Sequence, residues 1–226
     1  MPANSRRIIT LDGPAGAGKT SVSRRVAGAL GLAYLDTGAM FRALAYRLGE
    51  GGHLLPEVEL DARLAAMVFS LDGSGEDTRL LVDGEPLPAA ARTEQVGNWA
   101  SNLAVLPVVR HRLRLAQQAL GRTTDLLAEG RDMGTVVFPE APLKFFLDAS
   151  PEVRARRRAL QLEALGKPAD YEAILAAIRR RDTQDRTRAE APLIPASDAL
   201  VLDTSALTED AVVARILEAA ARYASR

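Results

Sequence analysis

Hydrophobic positions along the chain follow two alternating rhythms. Ile8, Ile9 and Leu11 make a short apolar run that stops at Asp12-Gly13. From 18 to 30 the spacing becomes helical, with Val22, Val26 and Leu30 four residues apart. Together they predict a strand, a Gly-rich loop and a helix. Further short apolar runs, at 33–35, 125–128, 143–147 and 200–202, lack strict alternation, as strands covered on both faces do. Helical patterns separate them, and that order predicts an α/β fold on a parallel sheet flanked by helices.

The stretch from about 60 to 93 breaks this rhythm. Val68-Phe69-Ser70-Leu71, the turn signal Asp72-Gly73-Ser74-Gly75, and 78–82 followed by Asp83-Gly84 read as small antiparallel pieces. An inserted subdomain of about residues 60–104 is therefore expected after the second core helix. Strong helical patterns cover 93–104, 107–120, 151–165, 171 to about 188, and 208–223. Pro107 and Pro151 suit first-turn positions, and Thr208 with Glu209 suits a helix start. With no repeat at solenoid periods and no long linker, one domain over 1–226 with mobile parts is expected.

Composition narrows the function classes. The 226 residues carry 29 Lys plus Arg against 29 Asp plus Glu and are 47% hydrophobic, an ordinary globular composition that argues against disorder. The absence of Cys excludes a disulfide framework, thiolate zinc, iron–sulfur clusters and a cysteine nucleophile. His53 and His111 are isolated, in a loop and on a helix, and suggest no metal pair. No apolar run reaches the roughly eighteen residues of a membrane span. The start passes from a short polar leader into the first strand pattern without a signal-like apolar core. A cytoplasmic address, no membrane partner and, with no long apolar seam, a monomer are the expectations. Balanced charge gives no global attraction for nucleic acid, although all but three of the 29 basic residues are Arg.

The loop after the first strand carries chemistry. Gly13-Pro14-Ala15-Gly16-Ala17-Gly18-Lys19-Thr20 matches GxxxxGK[ST] at every position, in the strand–helix context that the motif requires. Glycines let consecutive backbone N–H groups turn toward phosphates, and the helix N-terminus adds positive potential. Lys19 is expected to bridge the β- and γ-phosphates of ATP and Thr20 to ligate Mg2+, with Ser21 ending the ATP-binding run. A P-loop alone does not separate kinases, GTPases, motors and sensors.

Candidates for a second substrate follow three later elements. In Asp36-Thr37-Gly38-Ala39-Met40-Phe41-Arg42, Thr37 is placed to cap a helix with Arg42 in its first turns, a pocket suited to a phosphomonoester. Taken alone, a structural cap and a surface Arg explain it equally well. The run from Glu129 through Arg131, Asp132 and Met133 to Pro139 is a charged turn directly after an apolar strand, where ligands bind in open α/β sheets. Arg181, Asp185 and Arg188 recur at i, i+4, i+7 on one helix face, which alone reads as a solvated, salt-bridged surface.

On GPAGAGKT at 13–20, LDTGAMFR at 35–42, EGRDMGTVVFP at 129–139, KFFLDAS at 144–150 and RRDTQDRTRAEAPLIPA at 180–196, the chain closely resembles the bacterial cytidylate kinases, a branch of the nucleoside monophosphate kinases. The likeness runs from about residue 7 to the final helix. It implies a P-loop kinase core with a monophosphate-side insert and a lid. It further implies that Thr37, Arg42 and Arg131 hold the acceptor phosphate, that Arg181 and Asp185 contact the ribose, and that Ser101, Arg110, Asp132 and Arg188 surround the cytosine. Thr37 stands where the family commonly has Ser, which keeps the hydroxyl donor. Arg154, Arg156, Arg157 and Arg158 resemble the family's lid, at about 152–170, which closes over the phosphates. An exposed basic helix is the plain alternative.

The implied reaction moves the γ-phosphoryl group of ATP to the 5′-phosphate of CMP or dCMP, giving CDP or dCDP and ADP. An acceptor phosphate oxygen is already a nucleophile, so no general base is required. Catalysis is then positioning plus charge stabilisation by Lys19, Mg2+, Arg42, Arg131, Arg181 and a lid arginine such as Arg157. Asp36 is a candidate to steady the ion through one of its waters. Cytosine presents a 4-amino donor that Asp132 can accept, whereas uracil presents an oxygen, so CMP and dCMP are expected well ahead of UMP. Two other readings stay open on the residues alone. One is a P-loop kinase for another small molecule, with Asp36 as the only obvious base for an alcohol acceptor. The other is an ATP-dependent nucleic-acid binder or switch, against which four Tyr, five Phe and one Trp offer no basic, aromatic stacking surface.

Overall fold

The structure, a computed structural model, describes residues 6–224, and the polar leader at residues 1–5 lies outside them. The elements run β1 (Ile8–Asp12), α1 (Lys19–Leu30), β2 (Ala33–Asp36), α2 (Thr37–Leu48), α3 (Glu57–Ala65), β3 (Phe69–Asp72), β4 (Arg79–Val82) and β5 (Glu85–Pro86). They continue with α4 (Glu94–Leu103), α5 (Pro107–Thr123), β6 (Leu126–Gly130), β7 (Leu143–Asp148), α6 (Pro151–Ala164), α7 (Tyr171–Thr187), β8 (Leu200–Asp203) and α8 (Glu209–Ala224). A five-stranded parallel sheet has the order β2-β6-β1-β7-β8, and a small antiparallel sheet the order β3-β4-β5. The chain divides into two compact units, Met1–Ile8 with Ala27–Glu129, and Ile9–Val26 with Gly130–Arg226.

In the first unit β2 and β6 pair from Ala33 with Leu126 to Asp36 with Glu129, so two carboxylates end the paired strands side by side. Leu35, Leu126, Leu127 and Ala128 are fully buried, as the unalternating apolar runs predict. Met40, Ala43, Leu44 and Ala45 form the buried face of α2. The Asp83-Gly84 signal is a two-residue hairpin between paired Val82 and Glu85, with φ +55° and +83°, the double positive φ of a type I′ turn. The Thr78 hydroxyl donates to Gly75 O and accepts the Tyr34 N–H, tying this segment to β2.

In the second unit β7 lies between β1 and β8, with Phe145, Phe146 and Leu147 buried. Ser150 caps α6 through the Val153 N–H, Pro151 takes its first position, and Asp170 caps α7. The expectation that 200–202 is covered on both faces is corrected. β8 is an edge strand paired only with β7, and Leu200 and Val201 stay 47% and 57% exposed. No helix among the described residues is long and apolar enough to cross a membrane.

Candidate active site

The phosphate loop belongs to the second unit and its glycines are sterically required. Gly13 has φ +148°, and a Cβ there would lie 2.0 Å from the Leu147 carbonyl oxygen, inside the backbone of β7. Gly16 and Gly18 take the left-handed region at φ +80° and +87°. Lys19 opens α1, is buried, and its Nζ donates to Pro14 O at 2.8 Å, holding the loop to itself. Thr20 and Ser21 are exposed on the first turn, with the Ser21 hydroxyl donating to Gly18 O.

Beneath this loop sits Arg154, which corrects its assignment to the lid. Its side chain is 1% exposed. Nε donates to Ala149 O at 2.8 Å, Nη1 to Ala15 O of the loop at 3.1 Å, and both terminal nitrogens to the Asp182 carboxylate. Gly16 leaves room for it, since a Cβ there would meet Arg154 Cβ at 3.3 Å. Arg157 is half-buried and donates to Thr204 Oγ1 and O, and the Thr204 hydroxyl in turn donates to Ala17 O of the loop. Arg156 and Arg158 are exposed on α6.

The run after β6 folds as a single π-type turn, Met133–Val137, in which Asp132 O accepts the Val136 and Val137 N–H groups and Met133 O accepts from Phe138. Asp132 is buried, and Arg188 Nη2 lies 3.6 Å from its Oδ1. Arg131 Nε donates to Asp185 Oδ2 at 3.0 Å, and Arg188 also faces Asp185 at 3.9 Å. Burial alone would raise the Asp185 carboxyl, but Arg131, Arg181 and Arg188 outweigh it and hold the group below its ordinary value. The structure thus gathers Arg131, Asp132, Arg181, Asp185 and Arg188. Their helix-face reading needs two corrections. Arg188 is the cap one residue past α7, in extended conformation, and its side chain is 8% exposed rather than solvated.

The first unit holds the remaining candidates. Asp36, not Thr37, caps α2, its Oδ1 accepting the Ala39 N–H at 3.0 Å. Thr37 is the first helical residue and its hydroxyl donates to Glu129 O at 2.7 Å. Arg42 Nη1 donates to Thr93 O at 2.9 Å and to Ala91 O at 3.4 Å, at the start of α4. On α4 Ser101 back-bonds to Gly97 O, and Arg110 of α5 donates to Ala104 O. Thr37, Arg42, Ser101 and Arg110 each have a backbone carbonyl as partner, those of Glu129, Thr93, Gly97 and Ala104.

Sequence reasoning gave no individual role to Asp12, Glu129 or Asp182. Asp12 accepts the Met133 and Gly134 N–H groups, and burial, with Asp132 adding to it, pushes its carboxyl up to about 6 against those amides and Lys19. Buried Glu129 accepts a hydrogen bond from the Tyr34 hydroxyl. The signals were present, an Asp abutting the loop motif and acidic residues inside two charged runs. Nothing local separates such residues from solvated ones.

A family model described as cytidylate kinase matches residues 9–222. A cytidylate kinase of Nitratidesulfovibrio vulgaris, strain Hildenborough, is 54% identical over 212 residues, covering 94% of this chain and 91% of that protein. One from Oleidesulfovibrio alaskensis is 52% identical over 210 residues, covering 93% and 96%. Among solved structures, an uncharacterized protein from Eubacterium ventriosum aligns with TM-score 0.51 at 14% identity, covering 98% of this chain and 99% of that one, a likeness of fold alone.

Proposed function

Given that the chain belongs to the cytidylate kinase family, and so is a phosphotransferase with a phosphate acceptor, we propose that it carries the γ-phosphoryl group of ATP to CMP or dCMP through the residues gathered above. The observation that supports the base assignment is Asp132, a buried carboxylate at the carboxyl end of β6 with Arg188 beside it. A carboxylate accepts the cytosine 4-amino group and opposes the lone pairs of uracil O4.

The roles follow from the charges. Asp185, held ionised by three arginines, accepts ribose hydroxyls and keeps Arg131 aimed. Arg131, Arg181 and Arg42 neutralise the acceptor phosphate, with Thr37 as hydroxyl donor, and Ser101 and Arg110 stand on the base side. Lys19 exchanges Pro14 O for the β- and γ-phosphates, and the loop amides bind the rest of the donor. Among lid residues about 152–170, the exposed Arg156 and Arg158 are available to the phosphates, and Arg157 reaches them by leaving Thr204. The acceptor oxygen needs no base. The insert, about 60–104, is taken as the monophosphate side.

Mg2+ fits as an ion that arrives with the nucleotide. Thr20 offers a neutral hydroxyl at an exposed helix start, and among the described residues no group of three or more His, Asp or Glu builds a cage. Thr20 would hold it, and when bound it supplies positive charge to the transferring phosphoryl group. Asp36 commits one oxygen to capping α2. A monomer is the proposed state, tested by sedimentation at working concentration.

The test is Mg2+-dependent ADP release in parallel with CMP, dCMP, UMP, AMP and no acceptor, with the diphosphate product confirmed. Release confined to CMP and dCMP is expected. Equal turnover of UMP would remove the role given to Asp132.

A further inference from the structure

Asp12 has no part in the roles assigned above, yet it is among the most deliberately placed carboxylates of the second unit. Its Oδ1 accepts the Met133 N–H at 2.9 Å and its Oδ2 the Gly134 N–H at 2.8 Å, and the residue is 4% exposed. These are the first two amides after Asp132, whose own carbonyl takes the Val136 and Val137 N–H groups. The turn that follows Asp132 is therefore held by two acceptors, the Asp12 carboxylate on its first two amides and the Asp132 carbonyl on those of Val136 and Val137. The turn also seats directly on β1, since a Cβ at Gly134 would lie 2.9 Å from Thr10 Oγ1.

Asp12 gives one oxygen to each of the two amides of the turn, although the phosphate loop begins at the next residue. Burial and the neighbouring Asp132 make its charge costly, against the two amides and Lys19, so a neutral side chain would be the cheaper occupant on stability grounds alone. We propose that Asp12 is a positioning residue for the acceptor site, clamping the turn that carries Arg131 and Asp132 to the strand from which the phosphate loop departs. This rests on the reading that Arg131 and Asp132 contact the acceptor.

Steady-state kinetics of Asp12→Asn, with CMP and ATP varied in turn, tests it. Asn keeps the shape but offers one acceptor oxygen for two N–H groups. The expected result is a KM for CMP raised about tenfold or more. The KM for ATP should stay within about twofold of wild type, and the preference for CMP over UMP should fall, with native circular dichroism. Equal rises in both KM values, or a lower kcat with both unchanged, overturn the proposal. Asp132→Ala in parallel separates the two readings. If it leaves the KM for CMP and the base preference intact, the base contact fails, while Asp12 is still decided by its own split between the two substrates. Should Asp12→Asn not fold, Asp12→Ser carries the same comparison. If neither folds, Asp12 is structural and the proposal falls.

Discussion

At Gly13 the constraint is a single absent atom. A Cβ placed 2.0 Å from the Leu147 carbonyl oxygen has no rotamer to escape into, because the obstacle is strand backbone. Gly13→Ala is expected to cost about 4 kcal/mol or more, read as a shift of the urea midpoint. Asp12 sets a different test. Its carboxyl sits at about 6 against an ordinary 3.8, chiefly through burial, so the folded state favours the protonated form. Its contribution to stability is fully present below pH 3.8 and is lost as pH rises through 6, by about 3 kcal/mol. Asn cannot ionise. Melting temperatures of wild type and Asp12→Asn should therefore diverge between pH 4 and pH 7, the variant gaining on wild type as pH rises. A constant difference across that range would show that Asp12 is not ionising there.

Elements owe their ends to short-range chemistry and their placement to distant partners. The helix starting at Pro151 was legible from its apolar spacing and Pro151, but the duty of Arg154 within it was not. Its partner Asp182 is 28 residues away on α7, and the pair joins α6, α7 and the Ala15 carbonyl. Breaking a buried pair from one side strands a charge, so Arg154→Met or Asp182→Leu alone should each cost about 3–5 kcal/mol. The double variant should recover most of that in urea denaturation while kcat stays low, because α7 also carries Arg181 and Asp185 and the loop loses its brace. Recovery of both stability and kcat would reduce the pair to packing. The run at 200–202 misled for a related reason, since apolar composition marks a strand without saying whether it lies at the centre or the edge of a sheet.

For the whole molecule, the proposed closure over two nucleotides predicts a pattern of protection. Hydrogen exchange with and without ATP analogue and CMP should slow in 60–100 and in the proposed lid, about 152–170, beyond the Arg154 brace. Residues near the Arg154 brace should be slow in both states, since that arginine already bonds Ala149, Ala15 and Asp182. Unchanged exchange in both segments would remove the lid. The two units divide the candidates, with Thr37, Arg42, Ser101 and Arg110 in one and the loop, Arg131, Asp132, Arg181, Asp185 and Arg188 in the other.

By itself the sequence determined the order of most strands and helices, though not α3 or β5, together with the phosphate loop, the turn at Asp83-Gly84 and the residue types of the proposed acceptor cluster. Each is a local property, written in periodicity, in a contiguous motif or in turn chemistry that needs positive φ. Only the tertiary structure decided which charges meet. Asp12 finds its amides 121 residues away, Arg154 turns from a lid residue into a buried brace, and Asp36 rather than Thr37 takes the helix cap. The reason is that a charged side chain looks the same in sequence whether water or a distant carboxylate will surround it. Burial, which makes that choice matter by several kcal/mol, exists only once remote segments have packed.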